Sequence, residues 1–199
     1  MCLFEMADIT YGGRFIVGKK VALLLCLIII AFLAILFLYP DKVIFYSGLY
    51  NIKNMNCQET FKVSIDPSPY NRLNAQIDIN YIIDKHFDTI VSLEKIAVSP
   101  EHNTVDLFIK LDNRWNILKG ECLVFYEVKG NNLDRSFGYE ELDFSFTDSQ
   151  GKNIPYSQYG LCNDTLIITL DKEEFFKHKG NIELELKMNN YIKYSLWFL

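Results

Sequence analysis

Beyond residue 41 the chain alternates apolar and polar residues, the period of a strand with one face in a core and the other in water. Phe61, Val63 and Ile65 alternate with Lys62, Ser64 and Asp66, and Ile77, Ile79 and Tyr81 with Gln76, Asp78 and Asn80. Val105, Leu107, Ile109 and Leu111 run against Asp106 and Lys110, and Leu142, Phe144 and Phe146 against Asp143 and Ser145. The cleanest case is Ile182, Leu184, Leu186 and Met188 against Glu183, Glu185 and Lys187. Thr89–Val98, Glu121–Lys129, Thr165–Leu170 and a final stretch Ile192–Leu199 bring the expected total to about nine strands. Turn chemistry separates them at Asp66-Pro67-Ser68-Pro69, Ser99-Pro100, Gly130-Asn131-Asn132, Asp148-Ser149-Gln150-Gly151 and Asn189-Asn190. Asp171 followed by Glu174, Phe175-Phe176 and then Gly180 predicts one short helix near 171–179. The expected fold is mainly β, an antiparallel sandwich. An immunoglobulin-like order is compatible with it, although no Cys…Trp…Cys spacing marks that order.

One segment departs from this pattern. Val21 to Tyr39 is nineteen residues without a charge, bounded by Lys19-Lys20 and Pro40-Asp41. A helix of that length rises roughly 30 Å, the hydrocarbon thickness of a bilayer. It ends Phe37-Leu38-Tyr39-Pro40, without the small residues of a signal cleavage site, and so predicts an uncleaved anchor. Arg14, Lys19 and Lys20 precede it, whereas only Lys42 and Lys53 follow closely. The positive-inside bias then keeps 1–20 as a cytoplasmic tail, 21–39 as the transmembrane signal anchor and 41–199 as one extracytoplasmic domain. The expected location is the plasma (inner) membrane, crossed once. Val43–Tyr50 reads as a first strand or as a surface pairing with a membrane partner.

Charge narrows the partners. The chain holds 20 basic and 25 acidic residues, net −5, and residues 1–40 contribute three basic against two acidic. The exported part is therefore acidic, which argues against a nucleic-acid surface and a polybasic lipid patch.

Candidate chemistry is sparse. Gly13 to Lys20 approaches the phosphate-loop pattern, but Lys20 replaces the hydroxyl residue and no strand precedes it, so these are topology-setting lysines. Asp84, His86 and Asp88 stand at period 2, a spacing that puts two carboxylates and an imidazole on one strand face. Such a trio is more often solvated, and no metal or cofactor is assigned. G-x-S-x-G, H-E-x-x-H and C-x-x-C are all absent, and no catalytic residue is assigned. Of the cysteines, Cys2 falls in the tail and Cys26 in the span. Among Cys57, Cys122 and Cys162, Cys122–Cys162 is the favoured disulfide because Cys57 sits close to the anchor, with buried thiols as the alternative. Asn163-Asp164-Thr165 matches a glycosylation acceptor. Arg114, Trp115 and Trp197 are the candidate interaction residues, with Trp115 alternatively a cap on the open end of the sandwich. The last strand, Tyr194–Leu199, has little charge; at a sheet edge it would accept a partner's strand, and in a sheet centre it would not.

The function these features suit is a non-enzymatic protein-interaction module, anchored beside a protein partner in or at the membrane. The alternative is a membrane-anchored extracytoplasmic hydrolase or metal-dependent enzyme using Asp84, His86 and Asp88, or a thiol such as Cys57.

Overall fold

The computed structural model describes residues 21–31, 33–35, 38–71, 76–129, 136–139, 142–178 and 180–198. The expected tail 1–20 with its phosphate-loop-like motif, Cys2, the 130–132 turn and Leu199 lie outside these residues. The described chain is mainly β, with two antiparallel sheets, a two-stranded ribbon and a few helices.

Helix α1 spans Val21–Ile35 and α2 spans Pro40–Tyr46. Among the described residues no single helix is long and apolar enough to cross a membrane; α1 and α2 pass that test only as a pair bent by 97°. The continuous span expected over 21–39 is thus not described as one helix. Pro40 begins a new helix, as a residue without an N–H is suited to do. The described side chains of α1 are all exposed. Nor is Val43–Tyr50 a first strand. Ile44 and Phe45 lie on a buried face of α2, and β1 begins only at Tyr50.

The strands are β1 (Tyr50–Ile65), β2 (Gln76–His86), β3 (Thr89–Ser99), β4 (Thr104–Asn113), β5 (Lys119–Leu123), β6 (Tyr126–Lys129), β7 (Ser136–Tyr139), β8 (Asp143–Thr147), β9 (Asn153–Ile154), β10 (Tyr156–Cys162), β11 (Thr165–Asp171) and β12 (Ile182–Leu196). One sheet runs β1-β12-β8-β9, with β5 also on β12; the other runs β10-β11-β4-β3-β2; β6 and β7 pair alone. Helix α3 (Lys172–Lys177) sits where the chain passes from β11 to β12, close to the expected position. Asp171 caps it by accepting from the N–H groups of Glu173 (2.8 Å) and Glu174 (3.1 Å).

Both sheets contribute to one hydrophobic core. Leu107, Ile109, Leu166 and Ile168 from one sheet join Phe146, Ile182, Leu184 and Leu186 from the other, with Phe175 of α3 beside them. Full burial of each such side chain contributes about 1.5–3 kcal/mol. In β3 the buried face switches from Val91 and Leu93 to Ile96 and Val98. The register shifts between Leu93 and Lys95, so a bulge carries the change of phase.

Two strand expectations change. Asn189-Asn190 is not a turn: β12 continues through it, pairing with β1 from Ile182↔Ile65 to Leu196↔Tyr50. The physical reason is phase, since Met188, Asn190 and Ile192 all face inward. The final strand is also not an edge. β1 lies on one side of it, and β8 and β5 on the other. Glu121–Lys129 in turn divides into β5 and β6, which belong to different sheets.

β1 and β12 extend beyond the core shared by the two sheets. Along Tyr50–Asn54 and Asn190–Leu196 the inner face is covered by α2 and Trp115. Ile44 packs with Tyr50, Cys122 and Tyr194, and Phe45 with Val124 and Ile192. Trp115 meets Phe45 edge to face at 5.5 Å and Tyr194 at 5.7 Å. Its place in the fold is that of a cap.

Candidate binding groove on the long sheet

The outer face of the sheet at this same end is a groove of about 710 Å³. Its floor follows from register. Lys53 lies opposite Lys193, which lies opposite Glu121; in the next row Asn51 lies opposite Ser195, which lies opposite Lys119. Alternation sends Tyr50, Ile192 and Tyr194 inward with Cys122, and leaves these six residues on the outer face.

The β2–β3 turn, Phe87 and Asp88, forms one wall. Phe87 has φ +52°, a left-handed conformation costly for a bulky side chain. Neighbouring bonds over-determine the turn. The Asp88 N–H donates to the Glu121 carbonyl (2.9 Å), the Glu121 N–H donates to Asp88 Oδ2 (3.0 Å), and the Arg114 N–H donates to the Asp88 carbonyl (2.7 Å). The Phe87 ring stacks at 4.5 Å on Tyr191.

Three lysines and two carboxylates meet here, a net positive lining on a chain of net −5. Lys193 is ion-paired to Glu121, which raises its pKa, and Asp88 is engaged by the Glu121 backbone. Lys53 and Lys119 make no ion pair among the described residues. Like charges directly opposite on neighbouring strands are unfavourable, and at the Lys53–Lys193 pair the Glu121 carboxylate on Lys193 offsets part of that cost.

Among the described residues no cysteine thiol enters this lining. Cys122 is buried beneath it in the smaller core, where burial first and the Asp88 charge second push its thiol up to about 12. Cys162 lies exposed at the end of β10, and both cysteines are free thiols. The two expected to pair thus occupy different sheets, one thiol facing a core and the other solvent.

Asp84, His86 and Asp88 are also not brought together around a common point. Asp84 Oδ1 accepts from the Lys85 N–H (2.7 Å), and His86 Nε2 stands 3.4 Å from Glu59 Oε1. Asp84 and His86 keep unbroken register in β2, but the strand ends at His86, and the turn at Phe87 (φ +52°) takes Asp88 off the period-2 face. Among the described residues no group of three His, Cys, Asp or Glu side chains is placed to hold a metal.

Arg114 is exposed beside the groove, and Trp197 is exposed with its indole N–H donating to the Gly48 carbonyl (3.0 Å). The lysines of the groove floor had no mark in the sequence. Lys53 and Lys193 lie 140 positions apart, and only strand register makes them neighbours. No protein-family profile, curated protein or solved structure matches this chain. The functional reading therefore rests on the groove itself.

Proposed function

We propose that the chain is a single-pass protein of the plasma (inner) membrane, its N-terminus cytoplasmic and its β-sandwich domain outside. There it acts as a non-enzymatic interaction module that takes an acidic segment of a protein partner into the groove over Lys53, Lys119 and Lys193. The observation that carries the binding reading is the cross-strand Lys53–Lys193 pair on the floor of a concave face. The membrane reading draws on the nineteen uncharged residues Val21 to Tyr39 and on the exposure of α1. An anchor raises the effective concentration of the groove for neighbours in the same membrane.

The test is crosslinking and affinity capture of the full-length chain from its native membranes, run beside a Lys53→Glu, Lys119→Glu double variant. Both lysines are exposed and free of ion pairs among the described residues, so the fold is expected to melt unchanged. A stoichiometric partner should be recovered with the original chain and fall at least about tenfold with the variant, the effect of roughly 1.4 kcal/mol. Equal recovery with both chains removes the groove as the site. A chain recovered alone removes the interaction reading.

A further inference from the structure

Where the apolar helix meets the globular part, the surface of the β-rich region is itself apolar. Tyr46, Leu49, Leu118, Trp197 and Phe198 are all exposed there, Trp197 by 56% and Phe198 by 80%. Backbone bonds gather them into one patch from three segments. The Trp197 N–H donates to the Leu49 carbonyl (3.0 Å) and the Leu196 N–H to the Leu118 carbonyl (3.1 Å). The Trp197 indole N–H is already spent on the Gly48 carbonyl, so its ring can leave water without stranding a donor. A contiguous exposed apolar patch marks an interaction surface rather than ordinary surface scatter.

Its position selects the occupant. α1 exposes apolar side chains all round among its described residues, and Ile35 is five residues from Pro40, where α2 begins. Five residues span at most about 18 Å, so this pole cannot stand far from whatever covers the end of α1. Polar anchors suited to lipid headgroups flank the patch: Lys119 follows Leu118, and Lys42 Nζ lies 5.1 Å from the Tyr39 ring centre.

We propose that this pole seats on the lipid–water interface of the membrane that α1 enters, with Trp197 and Phe198 in the outer acyl region and Leu49 and Leu118 beside them. The proposal rests on the anchored reading above. It adds an orientation: the groove opens beside the bilayer surface, so its partner segment must lie close to the membrane.

The chain has two tryptophans, and Trp115→Phe leaves Trp197 as the sole emitter. The full-length variant is reconstituted into vesicles of phosphatidylcholine and phosphatidylglycerol whose acyl chains are brominated either near the headgroup or near the terminal methyl. Shallow bromines should quench about half of the Trp197 emission, and deep ones clearly less, as interfacial aromatics do. If Trp115→Phe does not fold, the unsubstituted chain gives the same depth preference at smaller amplitude, because Trp115 is half-buried behind Phe45 and Tyr194. Alkaline carbonate extraction of the same vesicles separates the two claims. A chain that resists extraction while Trp197 stays unquenched keeps the anchor and overturns the seated pole, leaving the patch to a protein. A chain that is extracted overturns both.

Discussion

The core shared by the two sheets and the smaller core under α2 bury side chains of the same strand β12, yet they are closed in different ways. Between the sheets, Leu184, Leu186 and Met188 meet Leu107, Ile109 and Leu166, and nothing polar is needed to complete the contact. Under α2, Tyr50, Tyr194, Phe45 and Trp115 do the filling. Their polar ends are tied to one loop: the Tyr50 hydroxyl donates to the Ile117 carbonyl (2.6 Å), and the Asn116 N–H donates to the Tyr194 hydroxyl (2.8 Å). Aliphatic packing is tolerant of which neighbour fills a gap. An aromatic with a bonded hydroxyl requires one neighbour in one place. The first region therefore sets the stability of the fold, and the second sets the shape of the pole that carries the groove and the apolar patch.

Removing Leu107 from the first region is the largest expected effect. Leu107→Ala leaves a cavity at a fully buried site and should cost about 2–5 kcal/mol, lowering the melting temperature by on the order of 10 °C. Hydrogen exchange should then quicken across both sheets together. A loss confined to β4 and its immediate partners would mean that the two sheets do not unfold as one unit.

Gly120→Ala strikes the second region alone. A Cβ at Gly120 would collide with the ring and hydroxyl of Tyr194, which cannot retreat without giving up the Asn116 bond. We expect about 1–3 kcal/mol from overpacking, with exchange quickening at 116–118 and in β5 while Leu107 and Leu166 keep their protection. If the whole molecule loosens instead, the two regions are one cooperative unit and the contrast between them fails.

The same contrast explains what was legible in the sequence. In the shared core β4, β8 and β12 show period-2 alternation, and Asn189-Asn190 keeps that phase, since 188, 190 and 192 all point inward. The short helix after Asp171 was visible because capping is local. The second region had no such period. Trp115 could be suspected as a cap, but Ile44 and Phe45 form part of a helix that a pattern of apolar and aromatic residues did not distinguish from a strand. The groove was invisible for the same reason, because Lys53, Lys193 and Lys119 become neighbours only through two registers and a bulge between Asn56 and Glu59. β10 was missed outright: it has almost no buried face, so it leaves no alternation to read.

The smallest effect separates the regions by acid. Far from the pole, the β8–β9 turn is closed by a carboxylate: Asp148 Oδ1 accepts from the N–H groups of Lys152 (2.8 Å) and Gln150 (2.9 Å), and Oδ2 lies 3.1 Å from His178 Nδ1. These donors, the Lys152 N–H foremost, hold its pKa below the ordinary aspartate value. A depressed pKa contributes stability above the unfolded value and loses it as pH falls through the folded one, so this tie weakens only below about pH 4. Tyr50 and Tyr194 behave oppositely. Burial raises both, so the neutral hydroxyl persists through the acid range, and the contribution of their ties is lost only above about pH 10. Exchange measured at pH 3 and at pH 6, each corrected for intrinsic rate, should therefore show protection falling at 150–152 and holding at 116–118. Asp148→Asn keeps an acceptor oxygen without the charge, and should abolish the acid step while leaving the pole unchanged. Protection that falls equally at both ends would show that acid acts on the fold as a whole and not through this carboxylate.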